Sequence, residues 1–172
     1  LISSLFHDEP SVETLNRIFR ALSHLVFAHR GTFDKYLGDG LMAFYGAPIA
    51  GEDDARRAVE TAIEMQRRFR DLAEESGPAM QDLGLGIGIH SGEAIVGNIG
   101  SDRVMDYTVI GDTVNIAKRL QEVAQGGQTL VSESLGVFGV AFCKGIYFGG
   151  VAECEDRPLA ERAAAAFRDS LP

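Results

Sequence analysis

The stretch Gly31-Thr32-Phe33-Asp34-Lys35-Tyr36-Leu37-Gly38-Asp39-Gly40-Leu41-Met42-Ala43-Phe44-Tyr45 decides the fold. Thr32 to Leu37 and Leu41 to Tyr45 read as two short strands. An Asp-Gly pair between apolar strands signals a hairpin turn. Helical patterns flank the hairpin. Upstream, Pro10-Ser11 opens a helix with Ser11 as its N-cap. Leu15, Ile18, Phe19, Leu22, Leu25 and Val26 recur at helical spacing, and Gly31 closes the element. Downstream, Gly51-Glu52-Asp53-Asp54 places acid where a helix macrodipole favours it. Ala55, Val59, Ala62, Ile63, Gln66 and Phe69 then follow one stripe, until Ser76-Gly77-Pro78 breaks the chain.

Further out, Leu83, Leu85, Ile87 and Ile89 alternate with Gly84, Gly86, Gly88 and His90, the period of a strand. Ser91-Gly92 is read as a turn from which Glu93 to Val96 returns. Met105 to Ile110 reads as another strand, Thr113 to Gln125 as a third helix, and Gln128 to Val131 as a strand. Beyond Glu133 the pattern weakens, and Asp156-Arg157-Pro158 starts a final helix. Helices mixed with strands and a hairpin predict an α+β fold: an antiparallel-rich sheet flanked by helices.

The chain has 172 residues, 45% of them hydrophobic, enough for one domain with a core. Its net charge of -9 makes it a poor nonspecific nucleic-acid binder, which needs clustered Lys and Arg. A polyanionic small substrate stays open, because a local pocket can be positive. The two cysteines, Cys143 and Cys154, show no zinc spacing and no disulfide framework. The expected setting is the reduced cytoplasm. No apolar run reaches membrane-spanning length, and the opening Leu1-Ile2-Ser3-Ser4 does not resemble a signal peptide.

The alternating glycines and Gly97-x-x-Gly100 are not phosphate loops. No Gly-Lys-Ser/Thr follows, and the first set lies within a strand. Alternate glycines instead let another backbone pack closely on their face. Asp39 alone would merely make a turn, and Lys35 alone would be a solvated strand lysine. Together they put a carboxylate suited to a hard cation near a long cationic side chain. Asn115 and Arg119 are four apart on the third helix and share a face, beside a predicted core stripe of Ile116, Leu120 and Val123. Alone they would be a polar helix flank, but Arg suits phosphate by charge and planar donors. His24, His29 and His90 have no partner at metal-ligand spacing.

Several ordered segments resemble class III adenylate and guanylate cyclase catalytic domains. They are Gly31 to Gly40, Phe44-Tyr45-Gly46-Ala47-Pro48, Ile87 to Glu93, Val96 to Ser101, and Asp106 to Arg119. The resemblance spans roughly residues 11 to 133. It implies a fold related to the ferredoxin-like group and a head-to-tail homodimer with active sites between protomers. It implies that Asp39 binds metal, Mg²⁺ or Mn²⁺, with two ions per site. Lys35 and Thr108 would read the purine of ATP, Asn115 would orient ribose and triphosphate, and Arg119 would stabilise the transition state. Guanylate-type members usually carry Glu in place of this Lys, so Lys35 implies an adenylate cyclase. Thr108, where many adenylate cyclases carry Asp, resembles the subgroup associated with bicarbonate activation. Lys144-Gly145 resembles a late Lys-Gly motif, although the expected triphosphate-binding lysine position is Ile146. Lys144 is the substitute candidate.

The resemblance also places a first strand, carrying the second metal-binding aspartate, just before residue 1. Residues 1-172 are therefore expected to form a single catalytic domain lacking that strand. Asp8 follows the wrong context to replace the aspartate. Two alternatives stay open: an inactive cyclase-homology module that dimerises or senses nucleotide, and a guanylate cyclase.

Overall fold

The computed structural model describes residues 1–6, 11–80, 83–124, 129–133, 138–144 and 147–154. In chain order these hold β1 (Ile2–Phe6), α1 (Val12–Ala28), β2 (Thr32–Leu37), β3 (Gly40–Phe44), α2 (Asp54–Ser76), β4 (Gly84–Ser91), β5 (Ile95–Ser101), β6 (Val104–Ile110), α3 (Asp112–Val123), β7 (Thr129–Glu133), β8 (Phe138–Lys144) and β9 (Tyr147–Cys154). The main sheet runs β2-β3-β1-β4-β7, and β5–β6 and β8–β9 form two ribbons. Only β4–β7 is parallel among these pairings, so the sheet is antiparallel-rich as its sequence predicts.

The β2–β3 hairpin forms, with its turn one residue earlier than the Asp-Gly signal suggests. Leu37 pairs with Gly40, so the two loop residues are Gly38 and Asp39. Gly38 has φ +61°, and glycine at the first loop position is the type II′ pattern. The turn holds Asp39 at the tip of the hairpin.

Ser11 caps α1, its side-chain oxygen accepting from Thr14 N at 3.2 Å. At the other end Gly31 N donates to Val26 O at 2.8 Å and Arg30 N to Phe27 O at 3.0 Å, a Schellman closure. The left-handed residue is Arg30, with φ +56°. Gly31 serves a different need: a Cβ there would lie 2.7 Å from the Tyr45 ring. Burial pushes the Tyr45 phenol above its usual range, and its hydroxyl is 2.7 Å from Thr61 Oγ1.

Arg57 of α2 also secures the end of α1. Its Nη1 donates to the carbonyls of His29 at 2.9 Å and Arg30 at 3.1 Å, while its Nε donates to Asp53 at 3.1 Å. Its side chain is 14% exposed. Arg57→Met keeps the apolar stem and removes these donors. The expected loss is about 2 kcal/mol, within the range for charge-assisted bonds. Thermal unfolding followed by circular dichroism should show a Tm lower by about 4–8 °C. An unchanged Tm would mean that water replaces the guanidinium at no cost.

β1 occupies the centre of the sheet, antiparallel to both β3 and β4. The sequence predicts no strand here. Leu1 and Ser3 are buried, and Leu1 exchanges backbone hydrogen bonds with Ala43. The β3 and β4 edges that an absent strand would leave open are thus paired. Ile2–Phe6 contains no Asp or Glu, however, so this strand carries no metal-binding carboxylate. Asp8 lies outside the described residues.

The second expected hairpin does not form. β5 pairs along its length with β6, from Ile95–Ile110 to Ser101–Val104, rather than returning along β4. Parallel β7 takes the neighbouring position on β4. The predicted helix after Asp156 lies outside the described residues.

β4 is buried on both faces. Leu85, Ile87 and Ile89 join α1 and α2 residues, including Ile18, Leu22, Met65 and Leu72, in the larger core cluster. α2 buries Ala58, Thr61, Ala62, Met65, Phe69 and Leu72, a stripe rotated from the predicted one. On the opposite face Gly88 meets α3 directly: a Cβ there would lie 2.2 Å from Ala117 O and 2.4 Å from Gln121 N. This close approach corrects the α3 stripe. Ala117 and Gln121 are buried, Ile116 and Leu120 are half-buried, and Val123 is exposed.

Candidate active site

Lys35 and Thr108 lie on strands of different sheets, and one carboxylate joins them. β2 is bulged: Phe33 pairs with Ala43 and Lys35 with the next residue, Met42, leaving Asp34 as the extra residue. The Asp34 side chain is 1% exposed. Thr108 Oγ1 donates to Asp34 Oδ2 at 2.7 Å. Lys35 Nζ lies 3.7 Å from Asp34 Oδ1, and its side chain is 38% exposed. The two predicted purine readers are therefore neighbours, with Thr108 buried and Lys35 reaching out. Packing of Phe44 against Tyr107, with ring centroids 6.2 Å apart, ties β6 to β3 beside them.

Sequence reasoning missed Asp34. Its signal is an acid placed inside a predicted strand. The inward turn comes from the bulge, which no alternation pattern reveals.

α3 positions the second group. Thr113 Oγ1 donates to the carbonyl oxygen of Glu93, fixing the start of the helix to the β4–β5 connection. Val114 and Ala117 pack into the smaller cluster with Met42, Phe44 and Val109. Asn115 and Arg119 consequently face outward and are exposed. Neither makes a hydrogen bond or ion pair among the described residues, so neither is bound to Asp39. Lys144 ends β8, and its side chain lies outside the described residues.

A cavity of about 620 Å³ opens between α2, α3 and the sheet, with Phe44, Val96, Val109, Val114 and Ala117 in its wall. None of Lys35, Asp39, Thr108, Asn115 and Arg119 lines it. Its mainly apolar wall is unsuited to a triphosphate, whereas Arg119 projects from the protomer surface.

The model of the adenylate and guanylate cyclase catalytic domain matches residues 4–147. The chain belongs to this family. Adenylate cyclase 1 of Rhizobium meliloti is 35% identical over 139 residues, covering 79% of this chain and 20% of that protein. The crystal structure of the guanylyl cyclase Cya2 superposes with a TM-score of 0.70 at 32% identity, covering 88% of this chain and 86% of that one. The adenylyl cyclase CyaB from P. aeruginosa also gives a TM-score of 0.70 at 32% identity, covering 76% of this chain and 74% of that one. Relatives of both nucleotide specificities are thus equally similar in structure. The chain spans about a fifth of the length of the curated relatives it matches. No helix among the described residues is long and apolar enough to cross a membrane.

The cyclase family is generally metal-dependent, and the donor chemistry of this chain fits such an ion in part. Among the described residues, no three His, Cys, Asp or Glu side chains gather into a metal cluster. A Mg²⁺ site does not require one, since this ion commonly takes one or two carboxylates together with substrate phosphates and water. Asp39, at the hairpin tip, is the predicted ligand of that kind.

Proposed function

We propose that this cyclase domain is a single adenylate cyclase catalytic domain. It would convert ATP to 3′,5′-cyclic AMP and pyrophosphate in sites shared by two copies arranged head-to-tail. The observation that carries this reading is the convergence of Lys35 and Thr108 on Asp34. Adenine offers an acceptor at N1 and a donor at N6. The Lys35 ammonium donates to N1, and the Thr108 oxygen accepts from N6.

The ribose 3′-hydroxyl attacks the α-phosphorus, and the bond to the pyrophosphate oxygen breaks. Asn115 orients ribose and triphosphate. Arg119 meets the negative charge that grows on the phosphates, where electrostatic help lowers the barrier most. Lys144 would add a cation to the triphosphate. Asp39 of the other copy would hold Mg²⁺ or Mn²⁺, two ions being expected per site. When bound, such ions neutralise phosphate charge and acidify the 3′-hydroxyl. Thr108 also motivates a test for bicarbonate stimulation.

A guanylate cyclase is the second reading, favoured by the similarity to Cya2. Lys35 opposes it, because guanine presents N1–H to a group that can only donate. Product formation from ATP and GTP by the full-length protein, each with Mg²⁺ and with Mn²⁺, decides between them. ATP should be preferred by about tenfold or more in kcat/KM. Equal or better turnover of GTP would sink the base assignment. Nucleotide binding without product from either substrate would favour the inactive module.

A further inference from the structure

We propose that Asp34 is a specificity-determining positioning residue, which fixes the direction of the Thr108 hydroxyl so that it can only accept from the base. This inference rests on the adenine-reading role proposed above for Lys35 and Thr108. A threonine hydroxyl has one proton and two lone pairs, so by itself it can donate or accept. It would then serve a 6-amino purine and a 6-oxo purine almost alike. Here its proton is committed: Thr108 Oγ1 donates to Asp34 Oδ2 at 2.7 Å. Only lone pairs remain for the base. They suit the exocyclic amine of adenine and oppose the carbonyl oxygen of a 6-oxo purine.

The placement of Asp34 supports this role. Burying a carboxylate is costly unless donors meet it. At 1% exposure, Asp34 is reached by Thr108 on one oxygen and lies 3.7 Å from the Lys35 ammonium on the other. The bulge between Phe33 and Lys35 brings it to β6 while Lys35 stays in register with Met42. One buried acid thus sets the polarity of one reader and lies beside the charge of the other.

The test compares ATP with ITP, whose hypoxanthine carries a 6-oxo group without the 2-amino group of guanine. Asp34→Asn preserves shape but can donate as well as accept, and Asp34→Ala releases the hydroxyl. Both should lower the ATP/ITP ratio of kcat/KM by about tenfold. Thr108→Ser retains the hydroxyl and should retain the ratio. In a Thr108→Val background no proton is left to aim, so adding Asp34→Asn should not move the ratio further. If a variant is too slow to assay, equilibrium binding of fluorescent ATP and ITP analogues reads the same ratio. Circular dichroism identifies any variant that does not fold, and the isosteric Asp34→Asn then carries the test.

Parallel losses on ATP and ITP in the Asp34 variants, at constant ratio, would overturn the proposal and leave Asp34 a packing residue. An equal shift caused by Asp34→Asn in the Thr108→Val background would also overturn it, since the effect would bypass the hydroxyl. The underlying reading fails separately. If Lys35→Ala and Thr108→Val both keep the wild-type ratio, these residues do not read the base, and both inferences fall. If either changes the ratio while Asp34→Asn does not, only the role of Asp34 is lost.

Discussion

Asp39→Ala and Arg119→Ala, each alone, are expected to lower cyclase turnover by about 10²–10³-fold or more, because Arg119 would meet transition-state charge directly and Asp39 would do so through the metal it holds. Mixing the two impaired proteins should restore activity. Arg119 stands exposed on α3 with no partner among the described residues, and Asp39 sits at the tip of the β2–β3 hairpin. In a head-to-tail dimer of the two mutants, one cleft receives both intact residues and the other receives both defects. Free exchange gives roughly half heterodimers, each with one working site of two, so recovery approaches roughly a quarter of wild type per protomer. The measurement is cyclic AMP formation by mixtures of the full-length proteins in which heterodimers have been verified by differential tagging. Verified heterodimers as inactive as their parents would rule out the shared-site arrangement with independent clefts.

The exposure of Arg119 is also a case of what the sequence could show. The i,i+4 spacing placed Asn115 and Arg119 on one face, and the structure keeps both exposed. It could not show which face of α3 is buried. That choice is made by Gly88, distant in sequence, where the strand backbone approaches the helix backbone at Ala117 and Gln121. Likewise the β2–β3 hairpin was legible from its turn residues, but the turn register was not. Gly38-Asp39 and Asp39-Gly40 are both plausible loops, and strand pairing selects between them. β5 illustrates a further limit. Local turn signals suggest returning along β4, yet that neighbouring position belongs to β7, whose residues lie 42 positions after their β4 partners. Asp34 combines these problems. Its significance depends on a bulge and on a threonine more than seventy residues later.

Gly88→Ala should be the most damaging single-methyl change at the interface between β4 and α3. The new Cβ would lie 2.2 Å from Ala117 O and 2.4 Å from Gln121 N, both of them backbone atoms. A flexible side chain could turn aside, but here the helix itself must move. Overpacking of this kind costs about 1–3 kcal/mol, and more when backbone is displaced. At about 3 kcal/mol, Tm falls by about 6–12 °C. Activity should fall further than stability explains, because α3 carries Asn115 and Arg119, and a displacement of about 1 Å can cost about 10²-fold in rate. Gly97→Ala is the control for stability. Its added Cβ meets nothing within 4 Å, so Tm should hold to within about 2 °C. Turnover is measured well below the lowered Tm, where Gly88→Ala is fully folded by circular dichroism. A folded Gly88→Ala protein with wild-type turnover would show that α3 can shift without moving the reacting groups. In that case the contact at Gly88 stabilises the fold but does not position the site.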